Sequence, residues 1–197
     1  MRCRAREIIV SAAVCGTVLT GCNVAPVRNQ FPELSFRHLP PIQLDVRNVE
    51  VDTAYRPPLE LPNVEHEFPV PPAEAAAQWA RDRLEPVGAI GIARYIVREA
   101  SVLETELETG GGVKGLFTTD QGRRYDAQVA AELEIIGENA RVEGTVSARA
   151  RRSITVPEDI TLNDLERVWF NLTERLMKDF NAAMERQIKA VLGKFVR

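Results

Sequence analysis

The sequence of 197 residues predicts an α+β fold, in which an antiparallel sheet carries two helices on one face and the C-terminal helix is long. Apolar residues alternate along Tyr125–Ile135 and again along Val142–Ala150, as is typical of half-buried strands. The alanine-rich segment Pro72–Leu84 has helical spacing, and a much longer amphipathic segment begins at Asn163. Strands with one apolar face and helices with one apolar stripe favour a two-layer domain.

The first element is predicted to be a strand at Ile42–Val51. Ile42, Leu44 and Val46 alternate with more polar residues, as in a strand that buries one face. The alternation slips near Asn48, which indicates a β-bulge at that point.

A helix is predicted from Pro72 to Leu84. Proline suits the first helical position, and Glu74 suits the positive N-terminal end of the helix dipole. Pro86 and Gly88 are expected to end the helix. Its buried stripe consists mostly of small residues, which would let it lie close to a sheet: Ala73, Ala76, Ala77, Ala80 and Leu84.

A long strand is expected at Ile92–Leu107, with a slip in phase near Glu99. The two alternating segments that follow, Arg123–Gly137 and Ala140–Val156, meet at the turn Gly137–Asn139 and are predicted to form an antiparallel hairpin. The residues expected to face inward are Tyr125, Ala127, Val129, Ala131, Leu133 and Ile135, then Val142, Gly144, Val146, Ala148 and Ala150. The outer faces are charged and are expected to be solvated rather than to bind a ligand; they carry Asp126, Glu132, Glu134, Arg149 and Arg151.

The last element is predicted to be an amphipathic helix of some 33 residues, or about 50 Å at ~1.5 Å per residue. Asn163 and Glu166 fit a capping box at its start. A helix of this length leaves three alternatives for its distal end, which would project, kink or meet a partner. The apolar residues of its stripe are Leu165, Trp169, Leu172, Leu176, Phe180, Ala183, Ile188, Val191 and Phe195.

The N-terminus has the layout of a secretory signal. Arg2, Arg4 and Arg6 precede the apolar run Ile8–Val18, which is too short to cross a bilayer as a helix. The residues Leu19–Cys22 follow and read Leu-Thr-Gly-Cys, which resembles the lipobox of bacterial lipoproteins. The alternatives are an ordinary signal peptide with a stray cysteine, or a buried thiol in an N-terminal helix.

The lipobox resemblance implies that the leader is cut between Gly21 and Cys22 and that Cys22 becomes a lipidated first residue. No cysteine follows Cys22, so a disulfide would have no partner in the mature chain. Several acyl chains would anchor the protein stably. Asn23 in the next position favours the periplasmic face of the outer membrane over the inner membrane, by resemblance to enterobacterial sorting.

The predicted domains are a signal peptide at residues 1–21, a lipidated cysteine and extended proline-rich tether at 22–41, and a single α+β domain at 42–197. Removal of the leader leaves 22 basic and 27 acidic residues, a net charge of −5. This charge argues against nucleic acid as a partner.

No catalytic residue, cofactor or metal site is predicted, and an enzyme is the least favoured class. The two histidines, His38 and His66, lie in proline-rich segments, and no Gly-x-Ser-x-Gly motif is present. The segment Thr109–Gly122 is glycine-rich but lacks the spacing of a phosphate-binding loop. It is expected to be a flexible connection, or else a contact loop in which Leu116 and Phe117 meet a partner.

The lipobox, the strand-helix pair Ile42–Leu84, the hairpin Tyr125–Ala150 and the closing helix from Asn163 together resemble two groups of envelope lipoproteins. One is the lipopolysaccharide-assembly lipoprotein LptE. The other is the auxiliary lipoprotein of ABC-type lipid transporters, the PqiC-like group. The resemblance implies a non-enzymatic, membrane-anchored accessory of lipid or lipopolysaccharide transport that binds an envelope protein or a lipid. The alternative is an assembly lipoprotein that docks another envelope complex through its C-terminal helix.

Overall fold

The structure is a computed structural model that describes residues 30–107 and 121–197. It has the expected α+β architecture, with two helices packed on one face of a mostly antiparallel sheet. The helices are α1 (Pro72–Arg83) and α2 (Leu162–Val191). The strands are β1 (Ile42–Leu44), β2 (Asn48–Thr53), β3 (Leu84–Pro86), β4 (Ile92–Glu99), β5 (Val102–Glu106), β6 (Gln121–Ile136) and β7 (Val142–Pro157).

The main sheet has five strands and is built around β6. One side of β6 pairs with β4 and, farther along, with β5, while its other side pairs with β7. β2 lies beyond β4 and is the one strand of this sheet that runs parallel to its neighbour. The described strands therefore leave β2 at one edge of the sheet and β7 at the other.

The predicted hairpin is confirmed as β6 and β7, each of 16 residues. Tyr125 lies opposite Ile154 and Leu133 opposite Val146, which sets the predicted inner face toward the helices. Val142 is the exception, because it is 50% exposed. A register shift next to the turn, where Ile136 pairs with Val142, takes Val142 out of the inward-facing row.

The long strand expected at Ile92–Leu107 is present as β4 and β5, which follow one another along the same side of β6. The register shifts between Val97 and Glu99, at the predicted slip. Between the two strands the Ser101 carbonyl still accepts a hydrogen bond from the Gln128 N–H, at 2.9 Å. The break therefore bends the strand without separating it from β6.

The prediction of a single strand at Ile42–Val51 is wrong in one respect. The chain forms two strands that belong to different sheets: β1 pairs in parallel with β3, and β2 pairs in parallel with β4. The slip in alternation marks this change of partner at Asp45–Arg47 rather than a bulge. Ile42, Leu44 and Val46 are nevertheless buried, as predicted.

α1 begins with Pro72 at the first helical position, as predicted. It ends one residue earlier than expected, because Leu84 passes directly into β3. Ala76, Ala77 and Ala80 are buried, whereas Ala73 is only half-buried. The largest buried side chains of the helix are Trp79 and Arg83, which were not part of the predicted stripe.

Aromatic contacts join both helices to the same face of the sheet. Trp79 of α1 packs against Tyr95 of β4 at 5.6 Å between ring centroids and against Phe180 of α2 at 5.4 Å. Trp169 of α2 meets Tyr125 of β6 edge to face at 5.7 Å. The core therefore lies between the sheet and a single layer of helices.

α2 is confirmed as a long amphipathic helix, but its start differs from the prediction. Thr161 is the N-cap, and its hydroxyl oxygen accepts a hydrogen bond from the Asp164 N–H at 3.2 Å. The cap thus lies two residues before the predicted Asn163. Val191, expected in the stripe, is 55% exposed, and Leu192 is buried in its place. Met184 is also fully buried, although it was not part of the predicted stripe.

The distal end of α2 neither projects nor stays free. Ile188 and Leu192 are fully buried, and a Cβ on Gly144 of β7 would lie 2.6 Å from the Leu192 side chain, so helix and sheet touch closely there. After the helix the chain turns back, and Val196 bridges Leu44 of β1. A helix of 30 residues spans about 45 Å, and a strand of 16 spans about 53 Å, so the hairpin is long enough to cover the whole helix.

The segment before β1, which was predicted to be an extended tether, contacts both helices. Phe31 stacks on Phe170 of α2 at 5.2 Å, and Phe36 is buried. The Asp82 carboxylate of α1 accepts hydrogen bonds from the Phe36 N–H at 2.8 Å and the Ser35 hydroxyl at 3.1 Å. The described chain from Phe31 onward therefore contacts both helices.

Candidate functional site

The residues to which the sequence assigns chemistry lie outside the described part of the chain. These are Gly21 and Cys22 at the proposed cleavage and lipidation site, and Leu116 and Phe117 in the proposed contact loop. Two surfaces of the described residues are the remaining candidates: a proline-leucine loop and the open face of the sheet.

The proline-leucine loop, residues 57–62, joins β2 to the short helical turn at Glu65–Glu67. All six residues are exposed, and Leu59 and Leu61 are 62% and 74% exposed. Leu59 and Leu61 are the two most exposed large apolar side chains near one another in the described sequence, which makes this loop a candidate contact site. From the sequence, only the abundance of proline was apparent in this region.

Backbone hydrogen bonds hold the base of this loop against the sheet. The Glu104 N–H donates to the Pro62 carbonyl at 2.8 Å, and the Val64 N–H donates to the Val102 carbonyl at 3.0 Å. Asn63 bridges Leu103, itself 41% exposed, so residues 62–64 run beside β5 as a short additional strand. The loop consequently presents its leucines from a fixed base.

The buried carboxylate of Glu65 also holds the base of the loop, and we call Glu65 and its hydrogen-bond donors the clamp. Glu65 is 3% exposed; it accepts hydrogen bonds from the Tyr55 hydroxyl at 2.7 Å, the Val102 N–H at 3.0 Å and the Asn63 side-chain amide at 3.4 Å. Burial, the hydrogen bond to Glu65 and the nearby negative charge raise the pKa of Tyr55 well above its usual range, so its hydroxyl remains a donor. These bonds tie both ends of the loop to the start of β5.

The outer face of the sheet, opposite the helices, is charged as predicted, and ion pairs cross its β2–β4–β6 half. Arg94 lies 3.6 Å from Glu50 and 3.8 Å from Glu134. Arg98 lies 2.9 Å from Glu132. Such half-exposed pairs contribute little stability, about 0–1 kcal/mol each. This half of the face fits the expected solvated surface.

The other half of the outer face is a shallow concavity of about 440 Å³ between β5, β6 and β7. Arg124 pairs with Asp126 at 2.7 Å, whereas Arg151 donates only to the neutral Gln128 side chain, at 2.5 Å. Arg149 has no side-chain partner among the described residues. Positive charge is therefore left uncompensated along β7. The concavity is lined by Ser101, Leu103, Arg124, Asp126, Ala127, Gln128, Arg151, Arg152 and Ser153.

Neither histidine takes part in a cluster that suggests chemistry. His66 lies 3.9 Å from Glu67 at the surface, and His38 is exposed. Within residues 30–107 and 121–197, no three histidine, cysteine or acidic side chains come together in a way that could hold a metal ion. In the same ranges, no helix combines the length and the apolar character needed to cross a bilayer.

Comparisons with known proteins give similarity in structure only. No protein-family model matches the sequence, and no curated protein matches it. The chain is similar to a minor lipoprotein from Acinetobacter baumannii, with a TM-score of 0.39 and 14% identity over 75% of this chain and 93% of the other. It is also similar to the rare lipoprotein B from Shewanella oneidensis, with a TM-score of 0.36 and 11% identity over 73% of this chain and 96% of the other. Similarity at these values carries no conclusion about function.

Proposed function

We propose that this protein is a non-enzymatic lipoprotein of the bacterial envelope, anchored through Cys22 and accessory to the transport of lipid or lipopolysaccharide. The observation that carries the proposal is the sequence Leu19–Cys22 directly after a basic and then apolar leader. Asn23 favours the periplasmic face of the outer membrane as the location.

The anchor restricts where the domain can lie. Nine residue steps separate Cys22 from Phe31, the first side chain that packs on the domain. A fully extended chain covers at most ~3.3–3.6 Å per residue, so the segment reaches about 30 Å. Phe31, which stacks on Phe170, would therefore lie within about 30 Å of the bilayer surface.

The proline-leucine loop lies toward the same end of the domain. Phe68 stacks on Trp169, the neighbour of Phe170, at 4.9 Å, and the loop extends from there past Leu103 toward the end of β5. We infer that this end faces the anchor and that Leu59 and Leu61 contact either an envelope protein or a lipid. The alternative function is assembly of another envelope complex. Because the distal stripe of α2 is buried, this loop replaces the helix as the docking element in that alternative.

Labelling with radioactive palmitate tests the anchor. Cys22→Ser is expected to abolish the label and to give an uncleaved or soluble product, whereas Cys15→Ser, which changes a cysteine inside the leader, is expected to keep both label and cleavage. Label that persists in Cys22→Ser, or that disappears in Cys15→Ser alone, contradicts anchoring at Cys22.

Photo-cross-linking in cells separates the two functions. A photoreactive residue at position 61 is expected to form adducts, while one at Val191, 55% exposed at the other end of α2, serves as the control. Lipid adducts at position 61 favour the transport accessory, and protein adducts alone favour the assembly function. Equal adducts at both positions would mean that the proline-leucine loop is not a specific contact site.

A further inference from the structure

The free edge of β7 carries arginines that have no acidic partner among the described residues. β7 pairs only with β6, so within the described ranges its other edge has no strand partner. Arg149 and Arg151 lie on the outer face of β7 and alternate with the buried Ala148 and Ala150. Neither arginine has an acidic partner, although the arginines of β4 and β6 on the same face all do.

The inner side of this edge is also basic. A small groove of about 90 Å³ lies between β7 and α2, and Arg152 and Arg175 line it. Asp179 pairs with Arg152 at 2.5 Å and compensates that one charge. Arg175 is exposed and has no partner among the described residues. Uncompensated arginines therefore flank the β7 edge on both faces, in a chain whose net charge is −3.

We propose that an extended acidic segment of another protein binds here by adding a strand to the edge of β7. Unpaired backbone N–H and C=O groups along an edge strand form a template for a further strand. Arg149 and Arg151 are two residues apart, about 7 Å along the strand, which matches two acidic residues at alternate positions of the added strand. The exposed edge supplies the backbone bonds, and the arginines supply the selectivity for acidic partners.

A second copy of this chain is a poor occupant. If two β7 edges met around a two-fold axis at Ala150, Arg149 of one copy would lie opposite Arg151 of the other. Like charges on adjacent strands destabilise their pairing. The partner is therefore a different chain, with glutamate or aspartate on one face. This interaction is independent of the lipid anchor and of the proline-leucine loop.

The test uses the full chain, reconstituted in nanodiscs of neutral phosphatidylcholine, and three labelled nine-residue peptides. The first alternates threonine and glutamate, the second alternates threonine and lysine, and the third keeps the glutamates but replaces the threonines with proline, which cannot donate backbone hydrogen bonds. Fluorescence anisotropy is expected to show binding of the first peptide only. Hydrogen exchange is expected to slow at the backbone amides of residues 149–154 when that peptide binds.

Paired variants test the role of the arginines. Arg149→Gln with Arg151→Gln is expected to weaken binding of the first peptide about five- to tenfold, or about 1–1.4 kcal/mol in total, because two cross-strand ion pairs are lost. Arg47→Gln with Lys178→Gln removes the same charge from exposed positions off the β7 edge and is expected to leave binding within about twofold, allowing for long-range screening. All four side chains are exposed, so both variants should fold, and their unfolding temperatures verify this.

Three outcomes would overturn the proposal. Equal binding of the proline peptide would reduce the site to an anion contact without strand addition. Displacement by monomeric dihexanoyl phosphatidylglycerol with the same arginine dependence, and without amide protection, would indicate a lipid headgroup instead. Absence of any peptide binding would mean that the arginines only protect the edge from self-association.

Discussion

Glu65 is the side chain whose loss should most directly test how the proline-leucine loop is held. Its carboxylate is buried and accepts hydrogen bonds from Tyr55, Asn63 and the Val102 N–H. Glu65→Ala would remove the acceptor and leave these three donors without their hydrogen-bond partner. The Val102 N–H in particular faces the protein interior, because its hydrogen bond to Glu65 is buried.

The expected cost follows from the bonds that are lost. A buried donor left without a partner costs about 1–3 kcal/mol. The Val102 N–H falls in this class, and the half-buried Tyr55 hydroxyl regains some bonding to water, so Glu65→Ala should destabilise the fold by about 2–5 kcal/mol. Tyr55→Phe removes one partner only and should cost about 0.5–1.5 kcal/mol. In the double variant the two effects should be less than additive, since both act on one bond.

Glu67→Ala is the matched control, because Glu67 belongs to the same helical turn but is exposed and makes only a 3.9 Å contact with His66. Urea unfolding followed by the fluorescence of Trp79 and Trp169, both buried, measures the free energies. Hydrogen exchange at Val102 shows whether the loop base opens. If Glu65→Ala differs from Glu67→Ala by less than about 0.5 kcal/mol, Glu65 does not clamp the loop.

Three further predictions concern the helices. Leu176→Ala, at a fully buried position of α2, should cost about 2–5 kcal/mol, and Lys178→Ala less than about 0.5 kcal/mol, by the same urea assay; equal effects would contradict the packing of α2. Truncation after Glu185 should abolish the cooperative unfolding transition, because the buried end of α2 is part of the core; an unchanged melting curve would contradict this. Asp82→Asn should cost about 1–3 kcal/mol near neutral pH. Burial alone would raise the pKa of Asp82, but the hydrogen bonds from Phe36, Ser35 and Arg37 outweigh it and lower the pKa. The contribution of Asp82 is therefore complete above the unfolded pKa of about 3.9 and is lost as pH falls through the lower folded value; a cost that does not shrink at low pH would refute this.

The elements with a long, regular period were predictable from the sequence. The β6–β7 hairpin repeats its two-residue pattern over 16 residues, and α2 repeats its helical pattern over 30, so single irregular positions do not hide either signal. Errors appear where the pattern drifts. Val191 fits a stripe counted in steps of three and four, yet Leu192, not Val191, is buried against the sheet.

Changes of strand partner were not predictable. The slip of alternation near Asp45 could equally indicate a bulge within one strand or a change to another sheet, because local periodicity contains no information about the neighbour. β3 was missed for a related reason. Three residues at the end of a helix are too few to show a period, and only pairing with β1 makes them a strand.

The clamp around Glu65 had no signature in the sequence. Glu65–Glu67 reads Glu-His-Glu, which predicts a solvated turn, and a buried glutamate is rare. Its burial depends on Tyr55 from one side and the Val102 N–H from the other, which only the folded chain brings together. The charge on the outer face was predicted correctly, but which arginines lack partners depends on strand order.

The position of Arg149 and Arg151 along the molecule favours a protein over the membrane as their partner. If the start of α2 faces the bilayer, as the short link to Cys22 suggests, the nearest part of β7 is its end at Pro157. Arg152 lies five residues from that end, about 17 Å at ~3.3–3.4 Å per residue. Charges in physiological salt are screened beyond about 8 Å. Arg149 and Arg151 lie at least as far from anionic headgroups, so their attraction acts on a partner that approaches from the side. The anchor would then hold the proline-leucine loop near the membrane and leave the edge of β7 free for an acidic segment of an envelope protein.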